Sequence, residues 1–60
     1  MAYFKKYKDA RAQWRWTFYA TNGEEIAVSS ESYVHEADCD RGIAVVKTQS
    51  PTAEVRRAAA

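Results

Sequence analysis

The strongest structural signal of the chain lies between residues 13 and 30, where the sequence reads QWRWTFYATNGEEIAVSS. Apolar and polar residues alternate at its start, which places both tryptophans and Phe18 on one face of an extended segment. Asn22 and Gly23 then form a turn signal before a second short apolar stretch. The stretch therefore predicts a β-hairpin, and we expect the fold to be organised around it.

The loop length of this hairpin decides which face the aliphatic residues of its second strand occupy. A two-residue turn would place Ile26 and Val28 on the polar face of the sheet. A three-residue loop over residues 21–23 shifts the pairing by one residue, so that Ile26 faces Phe18. Val28 then faces Trp16. We predict the longer loop because it buries both side chains, with its glycine in a left-handed bulge position.

Three further segments complete the predicted order β-β-β-α-β. The alternation in residues 3–8 predicts a first strand, joined to the hairpin by a polar turn. Apolar residues spaced by three and four predict a helix from about residue 34 to residue 49, which a proline ends. Residues 52–57 alternate again and predict a last strand. We therefore assign residues 1–57 to one domain and residues 58–60 to a frayed tail.

Three positions fit these patterns less simply. Lys6 falls on the apolar face of the first strand, where we expect its methylenes to lie over an indole ring while its ammonium reaches water. The helix start stays open between alternatives, because Ser32 is the best capping residue but His35 rather than a glutamate stands three residues on. Gly42 inside a helix costs roughly 1 kcal/mol relative to alanine, so we expect another element to pack closely against it.

The composition describes a small globular chain rather than a disordered one. It has 60 residues, of which 47% are hydrophobic and 13% are aromatic, but only one cysteine. One cysteine cannot form an intrachain disulfide and offers no cysteine-rich metal cluster. A chain of this size builds a thin core by itself, so we expect self-association to supply additional buried surface.

The net charge of +1 hides a segregated distribution. Residues 1–20 carry five basic residues and one acid, residues 24–40 carry six acids and no lysine or arginine, and the last twenty residues carry four basic residues and one acid. So small a net charge gives no general attraction to nucleic acid. The separation of basic and acidic segments could instead attract a second subunit or a ligand. No apolar run approaches the ~18 residues of a membrane span, and no signal-peptide apolar region is present. We therefore expect a cytoplasmic protein without membrane association.

The ordered set of short motifs resembles the YegP-like family of small bacterial proteins of unknown function. The residues that carry the resemblance include Tyr7-Lys8-Asp9, Trp14-Arg15-Trp16, Asn22-Gly23-Glu24, Ser29-Ser30-Glu31, Tyr33, Cys39, Gly42-Ile43 and Pro51. The resemblance implies a two-layer α+β fold, in which a β(3)-α-β unit pairs with a second copy. The two copies form one continuous sheet with helices on one face and exchange their C-terminal strands. A chain with one copy is then expected to be a homodimer.

The same resemblance implies no activity, because the family has no established catalytic residues. The chain also departs from the family pattern at four places. It has Lys6 where the family tends to have an aliphatic residue, and Ala12 and Ser32 where the family has glycines. It has Val34-His35 where the family has a more polar helix start. These departures concern the first turn and the helix cap rather than the fold.

His35 and Cys39 are the residues whose spacing most resembles a reactive site. At i,i+4 on a helix they lie within reach of each other, as in a thiolate–imidazole pair or two ligands of a metal site that a second subunit completes. The alternative is a buried thiol beside a surface histidine, which we favour because no third ligand or orienting group is evident. We read the adjacent carboxylates of Glu24 and Glu25 as a solvated turn. We therefore predict no catalytic, cofactor-binding or metal-binding residues.

The other face of the sheet offers the more interesting surface. Its predicted members are Tyr3, Lys5, Tyr7, Arg15, Thr17 and Tyr19. On a sheet, aromatic side chains can stack on nucleic-acid bases and basic side chains can contact phosphates. The same residues are also common on an ordinary solvent-exposed face of an antiparallel sheet and at contacts with a protein partner. We predict a non-enzymatic, homodimeric interaction module, with weak nucleic-acid binding through this face as the alternative. An enzyme that uses His35 and Cys39 is the third hypothesis.

Overall fold

The computed structural model describes residues 1–59, which form a three-stranded antiparallel sheet with one α-helix packed against it. The strands are β1 (Tyr3–Lys8), β2 (Trp14–Tyr19) and β3 (Glu25–Val28), and they follow one another across the sheet in chain order. The helix α1 (Glu36–Gln49) comes next, and a 3-10 turn over Ser50–Thr52 extends its end. The predicted α+β class is confirmed, as is the order of elements through the helix.

The turn between β1 and β2 is organised by Asp9. Its carboxylate accepts hydrogen bonds from the backbone N–H groups of Arg11 at 2.9 Å and of Gln13 at 3.1 Å. Its own N–H donates to the Gln13 carbonyl oxygen at 2.9 Å. Ala12 closes the turn with a φ of 60°, in the left-handed region where a Cβ costs about 1–2 kcal/mol. Ala12 thus carries a backbone strain that glycine at this position would avoid.

The turn between β2 and β3 confirms the predicted three-residue loop. The Gly23 N–H donates to the Ala20 carbonyl oxygen at 2.9 Å, and the Ala20 N–H donates to the Glu24 carbonyl oxygen at 2.8 Å. Gly23 has a φ of 85°, as the left-handed position after a type I turn requires. The loop therefore joins the two strands as the sequence indicates.

A β-bulge directly after this loop makes the predicted register of β3 wrong. Tyr19 pairs with Glu25, but the next pair is Phe18 with Ala27, so that β3 holds one extra residue. Each residue beyond a one-residue bulge exchanges the face that it would otherwise occupy. Ile26 is the extra residue, and Ala27 rather than Ile26 pairs with Phe18, contrary to the prediction.

The same shift moves Val28 away from the helix side of the sheet. Val28 pairs with Thr17 rather than with Trp16. The residue beside Trp16 is Ser29, whose N–H donates to the Trp16 carbonyl oxygen at 2.9 Å and whose Oγ accepts from the Trp16 N–H at 3.3 Å. The shift thus places the small residues Ala27 and Ser29 on the face that carries the bulky rings. Ser29 is buried there, so its hydrogen bonds with the Trp16 backbone fix this register at the centre of the sheet.

The helix begins two residues later than predicted because an isolated bridge holds the chain extended before it. Tyr33 and Trp14 exchange backbone hydrogen bonds of 2.6 and 2.8 Å, so Tyr33 extends the sheet beyond β3. His35 is the N-cap, with an extended backbone and no capping hydrogen bond from its side chain. Ser32 is not the cap, since its hydroxyl donates to the Gln13 side-chain oxygen.

The helix ends where the spacing predicts, but the last predicted strand is absent from the described residues. Pro51 lies in the 3-10 turn, and the chain leaves that turn extended at Ala53, with φ −70° and ψ 130°. Residues 53–59 are exposed and belong to no strand or helix. Within the described residues of the single chain nothing pairs with this segment, so the strand over residues 52–57, which is expected to pair with a second copy, stays a prediction. The predicted frayed tail extends to Ala60, which lies outside the described residues.

The core lies between the sheet and α1, and it is small. Its buried hydrophobic residues are Trp16, which is 8% exposed, and Cys39, which is fully buried. Phe4 meets Trp16 edge to face, with ring centroids 5.4 Å apart. A Cβ on Gly42 would lie 2.7 Å from the hydroxyl oxygen of Tyr33. This contact confirms the close packing that a glycine inside the helix predicts.

Candidate interaction face

The six residues of the predicted face share the side of the sheet that α1 leaves uncovered. They form three direct cross-strand pairs between β1 and β2, which are Tyr3 with Tyr19, Lys5 with Thr17, and Tyr7 with Arg15. Residues directly opposite each other on antiparallel strands point to the same face, so the register brings all six together. We call this surface, together with the β3 residues described below, the open face.

The aromatic residues of the open face differ in how much surface they present. Tyr3 and Tyr19 stack on each other, with ring centroids 5.0 Å apart and planes 22° apart. Tyr3 is nevertheless 49% exposed, and Tyr7 is 40% exposed. Thr17 is only 5% exposed, so its side chain lies beneath its neighbours and serves as packing rather than as a contact group.

The bulge places Val28 on the open face, whereas the sequence reasoning placed it on the other side. Val28 belongs to this face because it pairs with Thr17, and Glu25 does because it pairs with Tyr19. Val28 is 54% exposed. Ile26 is the extra residue of the bulge, where the alternation of faces is interrupted, so the pairing does not assign it to the open face.

The two cations of the open face have different electrostatic surroundings. The Arg15 guanidinium donates to the Asp9 carboxylate at 2.9 Å. That hydrogen bond, followed by the one from the backbone N–H of Gln13, lowers the pKa of Asp9 below its ordinary value. Lys5 makes no ion pair with any carboxylate among the residues that the structure describes. Lys5 is therefore the cation of this face whose charge no neighbour neutralises.

Lys6, on the opposite side of β1, has a structural role. Its ammonium contacts the Asp40 carboxylate at 2.7 Å and the Glu36 carboxylate at 2.8 Å, and it lies 6.0 Å from the centre of the Trp14 ring. The hydrogen bond to Asp40 and then that to Glu36 raise the pKa of Lys6 above its usual value. The lysine that fits the strand pattern poorly thus joins β1 to the first turns of α1.

The His35–Cys39 pair does not form a reactive site in this fold. Cys39 is fully buried, and burial, with Asp40 nearby, raises the pKa of its thiol, which favours the unreactive protonated form. His35 is exposed at the helix start. Within residues 1–59, no cluster of three or more histidine, cysteine or acidic side chains is arranged to hold a metal ion. Glu24 and Glu25 are exposed beside the second turn, as predicted.

A shallow groove lies on the helix layer, away from the open face. Its volume is about 350 Å³, and it is lined by Tyr33, Asp38, Arg41, Gly42 and Val45. The indole nitrogen of Trp16 is buried near this groove, 3.7 Å from where a Gly42 Cβ would lie, and it has no hydrogen-bond partner. Asp38 and Arg41 pair with each other at 3.4 Å at the rim. The groove is open and wide rather than enclosed, unlike a pocket built around a small substrate.

The described part of the chain has no helix that combines the length and the apolar character needed to cross a membrane. What the structure defines is a small α+β unit, a three-stranded antiparallel sheet followed by one helix on one of its faces. The NMR solution structure of a protein from Haloferax volcanii has the same fold, with a TM-score of 0.86 and 35% sequence identity over 95% of each chain.

The sequence comparisons then identify the family. Residues 9–56 match the family model described as a domain of unknown function, DUF1508. A UPF0339 protein from Neisseria meningitidis serogroup B is 33% identical over 54 residues, covering 90% of this chain and 95% of its own. A UPF0339 protein from Methanosarcina acetivorans is 38% identical over 55 residues, covering 92% of this chain and 93% of its own. The chain belongs to the DUF1508 family, which confirms the resemblance to YegP-like proteins. The family has no established activity, and these relatives carry no enzymatic name.

Proposed function

We propose that the protein is a non-enzymatic interaction module that docks another protein on its open face. The observation that carries the proposal is the exposure of large apolar side chains on a sheet face that the helix does not cover. Tyr3, Tyr7 and Val28 are each 40–54% exposed there. Exposed apolar side chains on an uncovered sheet face mark a candidate interaction site, and tyrosine is enriched among interface residues.

The arrangement of the reactive residues supports a binding role over a catalytic one. General acid–base and nucleophilic catalysis need a nucleophile and a base within hydrogen-bond reach of each other and of a substrate. The Cys39 side chain is fully buried on the sheet-facing side of α1, whereas His35 is exposed at the start of that helix. An enzyme based on this pair would therefore require the helix to leave the sheet.

Photocross-linking in the source cell tests the docking proposal. A photoreactive amino acid placed at Tyr7 or Val28 is expected to give discrete adducts with another protein. The matched control is the same amino acid at Val45, which is 46% exposed but lies on the helix layer. The proposal is wrong if the open-face positions give no adduct, if they give the same adducts as Val45, or if their only adduct is a second copy of this chain.

We also propose that residues 1–57 form a domain that acts as a homodimer with exchanged C-terminal strands. The support is that Val55 is fully exposed and that the segment around it is extended and unpaired. A partner sheet would bury Val55 and would satisfy backbone groups along an open sheet edge. Sedimentation at micromolar concentration is expected to give the mass of a dimer, and a chain truncated after Pro51 is expected to give that of a monomer. A stable monomer of the intact chain would contradict the exchange.

Weak nucleic-acid binding is the alternative function of the open face. It would use the exposed rings of Tyr3 and Tyr7 for stacking and Lys5 for a phosphate. Because the Arg15 charge is already met by Asp9, this face offers little of the positive charge on which such binding depends. We expect labelled single-stranded oligonucleotides to show no measurable affinity at low salt. Affinity that falls steeply with salt and is lost in Lys5→Glu would instead establish the alternative.

A cytoplasmic location completes the proposal. Its support is that the fold, whose one cysteine is buried and free, uses no disulfide and so does not depend on an oxidising compartment. Fractionation of the source cell is the direct test, and recovery of the protein outside the cytoplasm would contradict it.

A further inference from the structure

The rows of side chains across the open face describe the kind of partner that it fits. Lys5 pairs with Thr17, and Thr17 pairs with Val28, so these three residues form one row across all three strands. Adjacent strands lie about 4.8 Å apart, which places the backbones of the two ends of the row about 10 Å apart. The middle of the row is the buried Thr17. The row therefore presents a cation at one end and an aliphatic side chain at the other.

The two ends of this row differ in the residues beside them. On β1, Lys5 stands between Tyr3 and Tyr7, whose rings are exposed on the same face. On β3, Glu25 shares the face of Val28 through its pairing with β2, but it makes no ion pair with Lys5. Two exposed rings thus flank a lysine that has no ion-pair partner among the described residues. A docked apolar surface would remove water from that ammonium, which is costly unless a carboxylate meets it.

We propose that the open face binds an acidic, apolar protein segment that places one carboxylate on Lys5 and an aliphatic or aromatic side chain on Val28. This inference rests on the proposed docking function and adds the chemistry of the partner. A nucleic acid is a poorer fit, because its phosphates need several cations and the other cation of this face, Arg15, already pairs with Asp9. A second copy docked face to face is also a poorer fit, since a two-fold contact would bring two unneutralised Lys5 side chains onto one small patch.

Selection from a random 12-residue peptide library tests this inference. The library is selected in parallel against the intact wild-type protein, Lys5→Glu, and the control Lys47→Glu, which makes the same charge change on the exposed side of α1. Peptides enriched on wild type and on the control are expected to carry aspartate or glutamate beside aliphatic or aromatic residues. Peptides enriched on Lys5→Glu are expected to carry lysine or arginine at the corresponding position.

The enriched peptides are then synthesised and their affinities are measured for each variant. For an acidic peptide we expect Lys5→Glu to weaken binding at least tenfold, Val28→Lys to weaken it similarly, and Lys47→Glu to leave it unchanged. Circular dichroism of each variant confirms that the sheet and helix are retained, and a Lys5→Gln variant provides a milder change if Lys5→Glu fails to fold.

The outcomes separate this inference from the function on which it rests. Peptides that lose binding in Val28→Lys but show no acidic preference would overturn the partner chemistry and leave the docking function standing. Failure to enrich any peptide that depends on Val28 would overturn the docking function together with the inference. Salt-dependent binding of single-stranded oligonucleotides that Lys5→Glu abolishes, without acidic peptides, would overturn both in favour of a nucleic-acid partner.

Discussion

At the scale of a residue, the methyl group of Ala12 has a stability cost. Its φ of 60° costs alanine about 1–2 kcal/mol relative to ordinary backbone conformations, whereas glycine adopts it freely. Glycine also has more freedom in the unfolded chain, which offsets about 0.4–1 kcal/mol of the gain. We therefore expect Ala12→Gly to raise the free energy of unfolding by about 0.5–1 kcal/mol, measured by urea denaturation at a fixed protein concentration.

Gly23 provides the matched control for this prediction. It also has a left-handed backbone, and an added Cβ would meet no other atom within 4 Å. Gly23→Ala is therefore expected to be destabilising through backbone strain alone, with a sign opposite to that of Ala12→Gly. If Ala12→Gly were neutral or destabilising while Gly23→Ala behaved as expected, strain at the first turn would not limit stability.

At the scale of an element, the ion pairs of Lys6 are expected to hold α1 against β1. Asp40→Asn removes one partner of the Lys6 ammonium and should lower the melting temperature by a few degrees. Asp38→Asn is the control, because Asp38 lies two residues before Asp40, in the first turn of α1, but pairs with Arg41 instead. Equal effects of the two substitutions would show that only the favourable charge near the helix N-terminus matters.

The pH dependence of this contribution follows from the raised pKa of Lys6. The folded state holds the Lys6 proton more tightly than the unfolded chain does. The stabilisation is therefore complete below the unfolded pKa of about 10.4 and is lost as the pH rises through the folded value. We expect the stability difference between wild type and Asp40→Asn to stay constant from pH 7 to about pH 10 and to shrink above it. A difference that grows with pH would contradict this assignment.

The elements also show how far the sequence predicts the structure. The alternation of Trp14, Trp16 and Phe18 was sufficient for β2 and for the composition of the open face on β1 and β2, because strand patterning depends on local period alone. The three-residue loop was predictable from Asn-Gly turn chemistry. The bulge was not, since the hydrogen bonds that bury Ser29 beside Trp16 are a contact between strands that the local pattern does not show. The N-cap at His35 was missed for the same kind of reason, because a bridge to Trp14 holds the preceding residues extended.

At the scale of the whole molecule, the small core predicts that stability depends on assembly. Only Trp16 and Cys39 are buried among the described hydrophobic residues, which is little for a chain of 60 residues. If folding is coupled to dimerisation, the melting temperature must rise with protein concentration. We expect a clear increase over a hundredfold range of concentration for the intact chain, measured by circular dichroism.

Val55→Asp, which places a charge where the exchanged strand would be buried, should lower the melting temperature, whereas Val45→Asp on α1 should change it less. A melting temperature independent of concentration would contradict coupled assembly.

The single extra residue in β3 has a consequence for how such chains can diverge. In a regular strand an inserted residue exchanges the faces of all residues beyond it, whereas a bulge absorbs the insertion and preserves those faces. Deleting the extra residue would leave Ala27 opposite Phe18 and Val28 opposite Thr17, so the two faces of β3 would stay as they are. Relatives that differ by one residue in length at this point can therefore keep the same docking surface without a change of fold.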